Sequence, residues 1–163
     1  MKSKLDKAIE ISAWIITSLL LIKFVPRKRI REAIFPFLFK QLITWLFGLI
    51  VVEKNLISYP KRLFFKKSNK SSFTFEYFVY PALSSLFILY FPENKSNIVK
   101  TLYYCFHTSI LTIFELFAVK YTNLIRYKKW TGYWSFITMW ICYYLERIFQ
   151  RWFFKIDTLE KKG

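Results

Sequence analysis

Residues that carry chemistry are scarce in this sequence, with three glycines, two cysteines and one histidine among 163 residues. Three glycines leave no Gly-rich loop to cradle a phosphate and no nucleophile elbow, and one histidine rules out a His-Glu-x-x-His zinc motif. A site built on soft ligands would need nearly all of His107, Cys105 and Cys142. Both cysteines fall inside apolar runs, where a thiol packs as a small hydrophobe rather than pairing in a disulfide. Acidic residues are also few, ten against 26 Lys and Arg, and they are scattered over separate segments. No enzyme, cofactor or metal site is expected.

What is present in excess is grease and positive charge: 55% of residues are hydrophobic, 22% aromatic, and the formal net charge is +16. A soluble domain has little use for 19 Phe, 11 Tyr and 6 Trp beside so many cations. A bilayer accommodates both, with hydrocarbon taking the apolar runs and Lys, Arg, Tyr and Trp collecting near anionic head groups. Nucleic acid is not expected. The basic residues lie between apolar segments instead of along one face, and no zinc-finger or basic-zipper signature occurs.

Five candidate membrane segments follow, over 8–25, 33–52, 73–91, 98–124 and 130–145. Lys23 and then Pro26-Arg27-Lys28-Arg29 directly follow the first, where a cleavable signal would have a small-residue site, so it reads as an uncleaved anchor. The second carries Lys40, which costs about 2.5 to 3.5 kcal/mol at membrane depth, but the surrounding Leu, Ile, Val and Phe outweigh it. Between the second and third segments, the basic and aromatic stretch 61–67 suits either an interfacial segment or a solvated loop. With no internal repeat or low-complexity block, residues 1–163 form a single membrane domain. The expected fold is an all-α integral membrane helical bundle of four to five transmembrane helices.

Positive charge marks cytoplasmic loops. The turn at Pro92–Asn97 holds one lysine and one glutamate, whereas the linker before the third segment holds six Lys and Arg, and Arg126, Lys128 and Lys129 follow the fourth. The third and fourth segments therefore form a hairpin with an outward tip. Two full crossings before the linker put the N terminus in the cytoplasm, and also put Lys23 and the four cations of 27–31 outside, against the rule. The alternative leaves one early segment re-entrant or interfacial. A full crossing by the fifth segment raises the same conflict for Arg147, Arg151 and Lys155.

At 100° per residue, Thr101, Tyr104, Thr108, Thr112, Glu115 and Thr122 fall within an arc of about 80°. Thr131, Ser135, Thr138, Cys142 and Glu146 cover a similar arc, and Lys40, Thr44 and Gly48 recur every four residues. Turned inward, these faces let Lys40 neutralise Glu115, with Glu146 the second choice. Two readings stay open: close helix packing through small hydroxyl residues, or a polar path with an ionisable pair. His107 lies about 100° from the stripe centre and reads as packing. Glu10 and Glu76, near segment ends, read as solvated.

At Phe37-Leu38-Phe39-Lys40-Gln41, Gly48-Leu49-Ile50-Val51-Val52-Glu53, Phe73-Thr74-Phe75-Glu76-Tyr77-Phe78-Val79-Tyr80-Pro81 and Lys120-Tyr121-Thr122-Asn123-Leu124-Ile125, the chain resembles an uncharacterised family of small multi-pass membrane proteins of spore-forming Bacillus-type bacteria. The resemblance covers most residues from 31 to 155. It implies a bacterial cytoplasmic-membrane location and carries no functional residues across. The expected role is a small accessory or lipid-interacting membrane subunit, its partners being anionic lipid head groups, another membrane protein or a second copy. The alternative is a small transporter or channel component with a polar path near Lys40 and Glu115.

Overall fold

A computed structural model describes residues 2–62, 64 and 70–154. The described chain is all-α apart from one tiny ribbon. Helix α1 spans Lys2–Phe24, a 3-10 turn Arg27–Arg29 leads into α2 (Ile30–Glu53), and a π-helical stretch Thr74–Val79 runs into α3 (Tyr80–Leu89). Helices α4 (Asn97–Tyr121) and α5 (Gly132–Phe154) complete the set. Strands β1 (Ile57–Ser58) and β2 (Arg126–Tyr127) pair antiparallel, Ile57 opposite Tyr127. Each expected apolar run is helical, with shifted ends. The fourth stops short of 124 because Thr122 is extended and its hydroxyl donates back to Ala118 O at 2.5 Å. The fifth continues past 145 because Phe149 and Phe153 stack against Phe35 on α2. Most of the basic and aromatic stretch 61–67 lies outside the described residues, as does Lys155.

Successive helices run antiparallel. At one end Asp6 near the start of α1 accepts from the Asn123 backbone N–H at 3.0 Å, just beyond α4, and the β1–β2 ribbon joins the chain leaving α2 to the chain entering α5. At the other end the Tyr90 hydroxyl donates to Phe24 O, closing α1, and Arg29 donates to Leu89 O, the last residue of α3. There too Glu93, in the turn before α4, is paired with Arg147 and Arg151 of α5. Arg27–Arg29 thus share an end with the turn at Pro92–Asn97, and the charge conflict of the sequence is built into the fold.

The packing of α2 on α3 follows from a proline. Pro81 has no N–H to give to Tyr77 O, four residues back, and the π-helical geometry before it also draws on the carbonyls five back. Both freed carbonyls find donors on α2: Gln41 Nε2 reaches Tyr77 O at 3.0 Å and the Thr44 hydroxyl reaches Glu76 O at 2.6 Å. Residues that read as breaks in an apolar run are therefore satisfying a neighbour's backbone. Ser85 completes the seam, donating to Ala33 O at 2.8 Å.

Helix α2 also touches α5, α5 packs on α4, and α1 lies against α3 and the π-helical stretch, where Trp14 stacks on Phe78. On the α4 side, Phe87 of α3 is fully buried among Tyr103, Tyr104, His107 and Tyr143. His107 is a packing residue here, its Nδ1 within 2.9 Å of Tyr103 O.

The distribution of polarity inverts that of a soluble bundle. Ile22, Phe106, Ile113 and Phe114 are 62 to 78% exposed, while Lys40, Glu76, Glu115, Glu146 and Arg147 are buried. A soluble protein places such charges outside and such side chains inside. Among the described residues two spans, Arg27–Glu53 and Asn97–Tyr121, are long and apolar enough to cross a membrane, and Thr74–Leu89 is apolar but shorter.

Candidate functional site

Some of the buried ionisable groups meet at one cavity of about 110 Å3 between α2, α4, α5 and the π-helical stretch, capped at the ribbon end by Ile57, Tyr59, Ile125 and Trp130. Lys40, Glu76 and Glu115 all line it.

Its deepest charge is Lys40. The ammonium lies 3.7 Å from Glu146 Oε2 and 4.0 Å from the centre of the Tyr143 ring, and Glu146 also accepts from the Ser84 hydroxyl. This corrects the expected Lys40–Glu115 pair. The reason is depth. Counting about 1.5 Å per residue from the ribbon end, Lys40 lies about 20 Å along α2 and Glu146 about 21 Å along α5, but Glu115 only about 9 Å along α4. A lysine reaches a carboxylate at its own level, and α5 is the helix that packs on α2 there.

Glu115 instead belongs to a network of neutral donors. Its Oε1 accepts from the Tyr127 hydroxyl at 2.7 Å and the Ser135 hydroxyl at 2.9 Å, and Trp130 Nε1 donates to Ser135 at 2.8 Å. The ribbon register delivers Tyr127 to this position, with β2 held against β1. Burial pushes the Tyr127 phenol upward, so it remains a proton donor to the carboxylate.

Glu76 is the third carboxylate, and the expectation that it is solvated fails. It does lie near a helix start, but the linker folds over it, bringing Tyr59, Ser71 and Ser72 alongside and leaving it 4% exposed. Neither carboxylate oxygen has a hydrogen bond of normal geometry among the described residues. Gly48 on α2 makes room for it, since a Cβ there would collide with the carboxylate. Burial, and next the Glu76 charge, pushes the Tyr59 phenol well above its ordinary range. Glu10, also expected to be solvated, is 3% exposed because α1 lies against the bundle.

The polar faces are only partly inward. Tyr104, Thr108, Thr112, Ser135 and Glu146 are buried as expected. Thr101 is exposed, lying near the start of α4, and Thr131 is exposed because it precedes α5, where its carbonyl accepts the Ser135 N–H. Thr138 lines the cavity half-buried, its hydroxyl donating to Trp134 O at 2.7 Å. Six contributors were not anticipated: Tyr59, Glu76, Ser84, Tyr127, Trp130 and Tyr143. An acid inside an apolar run was a usable signal for Glu76, and Ser84 could be found the same way, but loop tyrosines have no periodicity to betray them.

The cavity is an acceptor-rich chamber. Two carboxylates, Glu76 and Glu115, line it with one ammonium, Lys40, which Glu146 engages from α5. Among the described residues no three His, Cys, Asp or Glu side chains come close enough to hold a metal ion. No family model, curated protein or solved structure matches the chain, so these residues and their geometry are the basis for assigning a role.

Proposed function

We propose that the protein is a five-crossing protein of the bacterial cytoplasmic membrane whose internal cavity takes up a small organic cation, an alkylammonium, as a small transporter or its binding component. The observation that carries the reading is Glu76: a buried carboxylate facing a cavity, whose only nearby donors among the described residues, Tyr59, Ser71 and the Ser72 backbone, reach neither oxygen with a hydrogen bond of normal geometry. Leaving a buried charge uncompensated costs several kcal/mol, so a cation is the ligand that relieves it. Among the described residues Lys40 forms its ion pair with Glu146, at 3.7 Å, and none with Glu76. Size sets the ligand class. Water occupies about 30 Å3 per molecule in the liquid, so 110 Å3 suits an amine of a few heavy atoms. The bilayer part of the reading is supported by apolar exteriors, buried charges and an antiparallel order of helices, four of them 23 to 25 residues long and the third shorter.

The test uses methylammonium and ethylammonium with the full chain in detergent micelles, measured by calorimetry. Saturable binding that Glu76→Gln weakens at least tenfold supports the reading. Absence of saturable binding, or equal binding by Glu76→Gln, refutes it. The alternative of an accessory subunit is favoured by the continuous outer face of α4, where Leu102, Phe106, Ile113, Phe114 and Phe117 are exposed.

A further inference from the structure

Helices α1 and α2 are joined by a short turn but barely touch, because α1 leans on α3 and the π-helical stretch while α2 packs on α3 and α5. A furrow is left between them. It has a volume of about 390 Å3 and is lined by Leu21 and Val25 of α1 and its end, Ile34 and Phe37 of α2, Ser85 of α3, and Arg27 of the turn between α1 and α2. That volume falls in the range of roughly 300 to 1,000 Å3 usual for small-molecule sites. The Ser85 hydroxyl is already spent on Ala33 O and Pro81 O, so the furrow offers an apolar channel and one cationic group.

The charge around its mouth is one-sided. Lys23, Arg27, Lys28 and Arg31 are exposed, and none of them has a carboxylate partner among the described residues. Arg29 alone is neutralised locally, by Glu32 at 2.7 Å. An apolar trough ending in a cluster of cations matches a molecule with a long hydrocarbon chain ending in a negative group. We propose that this furrow binds one acyl chain of an anionic phospholipid, with Arg27 meeting its phosphate. The inference rests on the bilayer part of the proposed function and not on the cation cavity, whose lining shares no residue with the furrow. It also accounts for the basic turn that conflicts with the charge rule: the bound lipid supplies the counter-charge, so the cluster is neutralised on whichever side it lies.

Native mass spectrometry of the full chain, released from micelles containing equal phosphatidylglycerol and phosphatidylcholine, tests this. One phosphatidylglycerol retained in clear preference is the expected result. Arg27→Gln should lower that preference about fivefold, the equivalent of ~1 kcal/mol for one cation at a membrane surface. Ile34→Trp, which fills the trough from an exposed position, should reduce retention of both lipids, and Lys128→Gln at the ribbon end should change nothing. Equal retention of the two lipids, an Arg27→Gln protein that behaves as the parent, or a lipid-free dimer covering the furrow would overturn the inference. Alkaline extraction of the same chain from vesicles separates the two failures: a protein that stays in the membrane without lipid preference removes only the lipid site, and one that is extracted removes the bilayer reading as well.

Discussion

Lys40 and Glu146 permit a quantitative test because both partners are almost completely removed from solvent, at 5% and 0% side-chain exposure. At 3.7 Å and an effective dielectric of about 20, the attraction is ~4 kcal/mol. Removing either partner strands the other, at a cost of about 3 to 5 kcal/mol. Lys40→Met keeps the volume of the stem and leaves Glu146 with the Ser84 hydroxyl. Glu146→Gln leaves the ammonium over the Tyr143 ring, a contact that retains about 2 kcal/mol when desolvated. The double variant has no stranded charge and is expected to unfold within about 1 kcal/mol of the parent, or later, since an apolar replacement of a buried pair is often neutral or stabilising. The assay is reversible unfolding of micelle-embedded protein by dodecyl sulfate, followed by tryptophan fluorescence. A coupling of at least about 2 kcal/mol between Lys40 and Glu146 is expected, and no comparable coupling between Lys40 and Glu115. Additive single losses would sink the pair. Coupling to Glu115 in place of Glu146 would mean that the depth argument is wrong.

Three further outcomes are expected. Tyr127→Phe deletes a donor to the buried Glu115 carboxylate and should destabilise the protein by about 1.5 to 3 kcal/mol in the same unfolding assay, whereas Tyr133→Phe, on an exposed side chain, should have little effect. Gly48→Ala should leave the fold intact but push the Glu76 carboxylate aside, so ethylammonium binding is lost while the unfolding midpoint moves little. Reporters inserted in 27–31 and in the turn at 92–96 should be accessible from the same side of the membrane, and one in 122–131 from the opposite side. A reporter in 27–31 that shares the side of 122–131 contradicts five crossings.

The five helices are legible as apolar runs because length and hydrophobicity are summed over many residues, and local errors average out. Their ends are not, since Thr122 stops α4 through one hydroxyl and the aromatic stack of Phe149 and Phe153 on Phe35 extends α5. Helical periodicity correctly turns Thr108, Thr112, Ser135 and Glu146 inward. It does not say which helices are neighbours, so it assigns Lys40 to Glu115. Counting residues from the basic linker and the loop at 126–129 to each charge would have matched Lys40 to Glu146 by depth. The ribbon had no chance of detection: two-residue strands have no period, and Ile57 meets Tyr127 only because the helices bring their ends together. Glu76 illustrates the converse failure. Position near a segment end argues for water, but a linker folded over that end removes the water.

The long separation of Lys40 from Glu146 along the chain matters for biosynthesis. At about 5 to 20 residues per second, α5 leaves the ribosome roughly 5 to 20 s after Lys40 does. In the proposed bilayer arrangement, α2 spends that interval without its counter-charge. A chain cut before Glu146 is then left permanently with a lysine at mid-membrane and no carboxylate at its level. Nonsense products ending in α4 should therefore be marked for degradation by one orphan ammonium, and α5 serves as a check that synthesis has passed Glu146.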